Sequence, residues 1–152
     1  MKITKFGHCC LLIEEGGVRI LTDPGIYSTQ QNEVKDIGFV LITHEHTDHF
    51  NINSLKEILI NNPQAKIITN KSVGLLLEKE SIAFSIVEDG QTYDAGGVLQ
   101  KLAGYRLFYF QSLGGVSHWG LRWVLKIHFK NHWVFQWQCS VCFGRSRGSL
   151  YL

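Results

Sequence analysis

Residues 44–49 read His44-Glu45-His46-Thr47-Asp48-His49, which places three imidazoles and two carboxylates in one short stretch. Neutral imidazole and carboxylate are the donors preferred by zinc, iron and manganese, and a catalytic site needs about three protein ligands per ion with one position left for water. In extended backbone, residues i and i+2 point to the same side, so His44 and His46 can address one ion. Asp48 and His49 follow a tight reversal and can address a second. Two ions roughly 3.5–4 Å apart can share a hydroxide whose pKa falls toward about 7, and the chemistry such a pair performs is hydrolysis. Chance produces this spacing in fewer than roughly one chain in a thousand of this length. Glu45 lies on the opposite side of an extended chain and is expected in solvent or behind a ligand rather than on an ion.

The motif must be held by the elements around it. Phe39-Val40-Leu41-Ile42-Thr43 is apolar and mostly β-branched, as expected of a strand covered on both faces. It leads directly into His44, and ligand clusters in α/β sheets sit beyond the carboxyl end of a strand. Upstream, Lys2–Phe6, Cys9–Glu14 and Val18–Thr22 form short β-compatible runs split by Gly7-His8 and Glu15-Gly16-Gly17, a pattern that predicts an antiparallel meander. Asp23-Pro24-Gly25 is a turn signal ending the third run, and residues 26–36 read as a polar loop.

Downstream, Ser54-Leu55-Lys56-Glu57 has the form of a capping box, with Leu55, Ile58 and Leu59 on one helical face, and Asn61-Asn62-Pro63 ends that helix. A strand over Lys66–Thr69, a helix over Ser72–Glu80 and a strand over Ile82–Val87 complete a β-α-β-α-β order from 39 to 87. That order predicts an α/β layered domain. Past residue 104 turn and charge punctuation fades, and Tyr105–Phe110 and Trp119–Phe129 are read as strands.

These features resemble the amino-terminal half of a metallo-β-lactamase-fold hydrolase. The carriers are Gly7-His8-Cys9-Cys10, Ile20-Leu21-Thr22-Asp23-Pro24-Gly25, and Leu41-Ile42-Thr43-His44-Glu45-His46-Thr47-Asp48-His49-Phe50. The Asp-Pro-Gly spacing is similar to the small single-domain branch related to ascorbate-phosphate lactonases. The resemblance implies an αββα four-layer sandwich, incomplete in this chain, with His44 and His46 on a first metal and Asp48 and His49 on a second. It also implies that Asp48 orients the attacking water. Zinc is the first expectation for the ions, with iron or manganese also suited. Asp23 is either the acceptor that fixes the ring of a ligand histidine or simply the residue that opens a turn.

Several residues carry blander readings. His8 beside Gly7 reads as a loop residue or a satisfied, partly buried side chain ahead of a site role, and Cys9 and Cys10 open an apolar strand as small hydrophobes. Cys139 and Cys142, preceded by His128 and His132, have the spacing of a structural zinc site but an unusual order, so accidental spacing is the preferred reading.

Composition divides the chain. At 152 residues, with 45% hydrophobic and 18% charged residues, it suits one globular domain. All thirteen acidic residues lie at or before Asp94, where eight Lys and Arg leave a net −5, whereas residues 95–152 carry seven basic residues and no acid, +7. All four tryptophans follow residue 118. The expected boundaries are therefore a hydrolase-like half over 1–103 and an atypical basic, aromatic segment over 104–152. The resembling family would supply a further histidine, a metal-bridging aspartate and a final histidine from its second half. Residues 95–152 contain no aspartate, and His118, His128 and His132 stand outside that context. A shifted reading frame would explain the missing acids, and it predicts a truncated, inactive hydrolase.

The start of the chain has the features of neither a signal peptide nor a membrane span, so reduced thiols and a cytoplasmic location are expected. Two functions remain open: a metal-dependent hydrolase acting on a small ester, lactone, amide or phosphodiester, and a non-catalytic metal-binding protein. A nucleic-acid role for the basic segment ranks below both, because no nucleic-acid-binding fold accompanies the charge.

Overall fold

The computed structural model describes residues 1–88, 91 and 93 with their side chains. It describes Thr92 and the strands over 99–113, 116–129, 132–146 and 149–150 by their backbone alone. The first three strands, β1 (Lys2–Gly7), β2 (Cys10–Glu15) and β3 (Val18–Thr22), form the antiparallel meander. The sheet then changes character. β4 (Phe39–Ile42), β5 (Lys66–Thr69) and β6 (Ser85–Ile86) each pair in parallel with the strand before, giving the order β1-β2-β3-β4-β5-β6. Parallel pairing requires crossovers: residues 23–38, with one 3-10 turn over Gln30–Glu33, join β3 to β4, α1 (Ile52–Asn61) joins β4 to β5, and α2 (Lys71–Lys79) joins β5 to β6.

Alternation along the strands separates two apolar faces. Val40 and Ile42 of β4 join Leu12, Leu21 and Ile67 in a cluster with Leu55 and Ile58 of α1 and Val73 and Leu77 of α2. Leu41, one position out of phase, joins Leu11, Ile13, Ile20 and Ile68 on the other face. The expectation of a strand covered on both faces is met, since Val40 and Leu41 are 0% and 2% exposed. A second sheet has the order β11-β10-β9-β8-β7, built from β7 (Thr92–Tyr93), β8 (Leu99–Leu113), β9 (Val116–Phe129), β10 (His132–Ser146) and β11 (Ser149–Leu150). Tyr93 packs against the Leu41 face, so the second sheet approaches the side of the first that carries no helix. Helix layer, sheet and second sheet are thus present in the order of an αββα sandwich. Both α-helices of the described residues lie on one side, so the outer helix layer on the second sheet is not among them.

Two local readings shift. Ser54 is not the cap of α1; the cap is Asn51, whose side chain accepts from the Ser54 N–H at 3.0 Å. The helix starts earlier because Asn51 is already held, its N–H donating to the Pro24 carbonyl at 3.1 Å. The last strand of the β-α-β-α-β run is confined to Ser85–Ile86, shorter than Ile82–Val87, because Ile82 continues the turn after α2 by donating to Leu77 O at 3.1 Å. Among the described residues, no helix is long and apolar enough to cross a membrane.

Candidate metal centre

β4 ends at Ile42, and Thr43 begins the motif loop at the carboxyl edge of the parallel strands. The loop reverses at once: His49 and Phe50 both donate to the His46 carbonyl, at 2.9 and 2.8 Å. That single turn brings the rings together. The His44 centroid lies 4.7 Å from that of His46 and 4.0 Å from that of His49. His44 and His49 are buried, at 3% and 0% exposure, whereas His46 is exposed. Donor atoms of His44, His46 and Asp48 all lie within 4.8 Å of one another.

The second support is the Asp23-Pro24-Gly25 turn. Ile26 N donates to Thr47 O at 3.0 Å, and Asn51 N donates to Pro24 O, so the turn is laced to the motif on both sides. The approach is close enough that a Cβ at Gly25 would stand 2.0 Å from the Asp48 carbonyl oxygen. Glycine is required here by space.

Asp23 is fully buried and accepts four contacts. The Thr43 N–H reaches Oδ1 at 2.7 Å, the Thr43 hydroxyl lies 3.0 Å from both oxygens, and His49 Nδ1 lies 2.9 Å from Oδ2. These contacts engage Nδ1 of both the His44 and the His49 ring. If the Thr43 hydroxyl donates to Asp23, it accepts from His44 Nδ1, 3.0 Å away, and His49 Nδ1 donates to Asp23. Both rings then carry their proton on Nδ1, and coordination falls to Nε2. Burial pushes the Asp23 carboxyl above the usual carboxylate range, while His49 and the two Thr43 donors pull it back down. Asp23 therefore does more than open a turn: it touches His49 directly and reaches His44 through Thr43. Thr43, which sequence reasoning passed over, is the link; its signal was its place between the strand and His44.

Asp48 takes a central place. Its Oδ2 lies 3.5 Å from His49 Nε2 and 2.8 Å from Nε2 of His8, which comes from the β1–β2 turn. His8, Cys9 and His49 form a second group of donors whose atoms lie within 4.8 Å of one another. The motif residues are therefore brought to one place, but Asp48 stands between two donor groups rather than solely with His49. Glu45 is exposed, as expected of the off-side residue. The candidate zinc ligands Cys139, Cys142, His128 and His132, and also His118, have side chains outside the described residues.

The donor chemistry fits a divalent first-row ion. The His44 and His49 imidazoles, with Nδ1 already engaged, and a partly buried carboxylate converge at a strand end, with an aspartate behind one ring as such sites require.

Comparison with known proteins agrees with this reading. The family model described as "Beta-lactamase superfamily domain" matches residues 2–118. Protein Rv0786c of Mycobacterium tuberculosis is 42% identical over 67 residues, 44% of this chain and 32% of that protein. A UPF0173 metal-dependent hydrolase of Flavobacterium johnsoniae is 37% identical over 78 residues, 48% of this chain and 33% of the relative. A crystal structure of a putative metal-dependent hydrolase from Parabacteroides distasonis superposes with a TM-score of 0.60 at 20% identity, covering 82% of this chain and 55% of that one. This likeness concerns the fold. The matched stretch spans about a third to a half of the curated relatives' own length. With the match covering most of the chain and the strand-end histidine cluster in place, this protein belongs to the beta-lactamase superfamily domain family and has a metallo-β-lactamase-type fold.

Proposed function

We propose that the chain carries the metal-binding edge of a metal-dependent hydrolase acting on a small ester, lactone, amide or phosphodiester. The observation that carries this reading is the convergence of His44, His46 and Asp48 donors within 4.8 Å, with Nδ1 of both His44 and His49 engaged by the Thr43–Asp23 pair. His44 and His46 hold a first ion, and Asp48 and His49 face a second. Zinc suits this mixed imidazole and carboxylate set, and iron and manganese suit it next. When bound, such ions supply a water of lowered pKa and Lewis acidity toward the scissile group.

The chain's own residues do the positioning. Asp23 and Thr43 keep the His44 and His49 rings from rotating, so their Nε2 atoms need no reorganisation. Asp48, 25% exposed, is the one carboxylate of the motif placed to accept a proton from, and orient, a water at the site. His46, exposed at the tip of the loop, leaves an open side for substrate. A cytoplasmic location, where thiols stay reduced, fits the buried thiol of Cys10.

Metal analysis combined with hydrolysis assays on generic ester, lactone and phosphodiester substrates tests the reading. Wild type should bind metal and turn over at least one class. His46→Ala, at an exposed position where the fold has little to lose, should drop both metal content and turnover by at least about tenfold. Metal uptake without turnover of any class would favour a binding protein instead.

We also read residues 104–152 as differing in origin from residues 1–103, on the strength of the acid-free composition. Translating the gene beyond codon 94 in its other two frames checks this. A Gly-Asp followed by histidines in one of them supports a shifted frame, and their absence from both sinks it.

A further inference from the structure

His8 holds a backbone conformation that its residue type disfavours. Its φ is +36°, in the left-handed region normally left to glycine or asparagine, within the two-residue turn between Gly7 and Cys10. Strain of this kind persists where a side chain must be aimed. The aim is visible: Nε2 of His8 lies 2.8 Å from Asp48 Oδ2, and its ring stands edge-on to His49 at 5.4 Å and to Tyr27 at 5.4 Å. Cys9 is buried, its carbonyl accepts from the Thr22 hydroxyl at 3.1 Å, and its sulfur belongs to the donor group with His8 and His49.

We infer that His8, Cys9 and His49, with Asp48 beside them, form the protein shell of a second divalent-ion site, in which the β1–β2 turn supplies two donors. The inference rests on the hydrolase reading of the motif and extends it to residues that the motif does not contain. Ligands at 2.0–2.3 Å around a tetrahedral ion stand roughly 3.4 Å from one another. The separations of Asp48 Oδ2 from His49 Nε2, 3.5 Å, and from His8 Nε2, 2.8 Å, bracket that spacing. The donors come from two turns that are anchored independently, one by Thr22 and the other by Asp23. A thiolate in the shell favours zinc or cobalt over manganese or magnesium. Binding requires the Cys9 thiol to give its proton to solvent as the sulfur–metal bond forms, so no oxidant or reductant is involved.

Cobalt(II) titration of the full chain, followed by absorption, tests this. Wild type should take up two ions and show a near-ultraviolet sulfur-to-cobalt charge-transfer band. Cys9→Ser should lose that band, and the Cys139→Ser/Cys142→Ser variant should keep it. His8→Gly relieves the left-handed backbone, so its thermal unfolding should match or exceed wild type while the second ion weakens by at least about tenfold. The inference is overturned if wild type lacks the band, if the band survives in Cys9→Ser, or if folded His8→Gly binds two ions with unchanged affinity. Loss of the first ion in His46→Ala reports on the hydrolase reading separately. If that loss occurs while His8→Gly is silent, the further inference alone fails.

Discussion

Asp23 and His49 are both sealed from solvent, and Asp23 Oδ2 meets His49 Nδ1 at 2.9 Å across twenty-six positions of sequence. The contact fixes which nitrogen of His49 can reach an ion, and Thr43 passes the same constraint to His44. Asp23→Asn keeps the volume but removes the charge and turns an amide N–H₂ toward one of the groups that donated to the carboxylate. Metal affinity should fall about 10- to 100-fold. Competition with a chromophoric chelator measures it, and an affinity within threefold of wild type would show that Asp23 only shapes the turn.

Gly25 sets the distance between the Asp-Pro-Gly turn and the motif. A methyl group there would overlap the Asp48 carbonyl, whose oxygen would be 2.0 Å away, and the obstacle is backbone that cannot swing aside as a side chain would. Gly25→Ala should therefore destabilise the fold by about 1–3 kcal/mol or more, the range for overpacked sites. It should also weaken metal uptake, because the loop that must retreat carries Asp48 and His49. Urea unfolding and metal titration on the same samples check both. A stable variant that has lost metal would locate the strain in the loop alone.

Much of this architecture is legible in the residues. Short β-compatible runs split by Gly7-His8 and Glu15-Gly16-Gly17 mark β1 to β3, the uninterrupted apolar run marks β4, and helical spacing marks α1 and α2, because turn residues and buried faces leave these patterns directly in the sequence. What is not legible is contact between distant turns. Nothing about Gly7-His8-Cys9-Cys10 announces that His8 reaches Asp48, since that depends on how the β1–β2 turn folds over the strand ends. Thr43 was likewise invisible as a tautomer-setting residue, because its role exists only once Asp23 is beneath it. Ser54 illustrates the opposite error. Its capping-box spacing is genuine, but tertiary anchoring of Asn51 to Pro24 O moves the helix start upstream. Sequence composition after Asp94 warns of a change without naming a structure for it.

Cys10 offers a pH-dependent check on the core. Burial, with the nearby Asp23 charge adding to it, pushes the thiol from its ordinary value of 9.0 up to about 12. A folded pKa above the unfolded one stabilises the fold fully below about pH 9, and the contribution is lost as pH rises toward 12. Within that window the loss from this group approaches about 1.4 kcal/mol per pH unit. Native protein at pH 9 should leave Cys10 unmodified by iodoacetamide, with alkylation appearing only as urea unfolds the chain. Fragmentation mass spectrometry separates Cys10 from Cys9. Rapid modification of Cys10 in folded protein would contradict its burial.

Asn62 tests how the loop before β4 is held. Its amide is fully buried at the end of α1, accepting from Ile37 N at 2.9 Å and donating to Val34 O at 2.7 Å and Ile58 O at 2.9 Å. Three backbone groups from two segments thus depend on one side chain, and water cannot replace it without opening the core beside Ile37. Asn62→Ala should cost about 2–4 kcal/mol, since a buried group left unsatisfied costs about 1–3 kcal/mol. The neighbouring Asn61 is exposed and makes a single bond to Asn32 O at 2.9 Å, so Asn61→Ala should stay within about 1 kcal/mol of wild type. Urea midpoints for the pair give the comparison. Equal and small effects would mean that the loop leading into β4, and with it the approach to His44, is held by packing of Ile37 rather than by the asparagine.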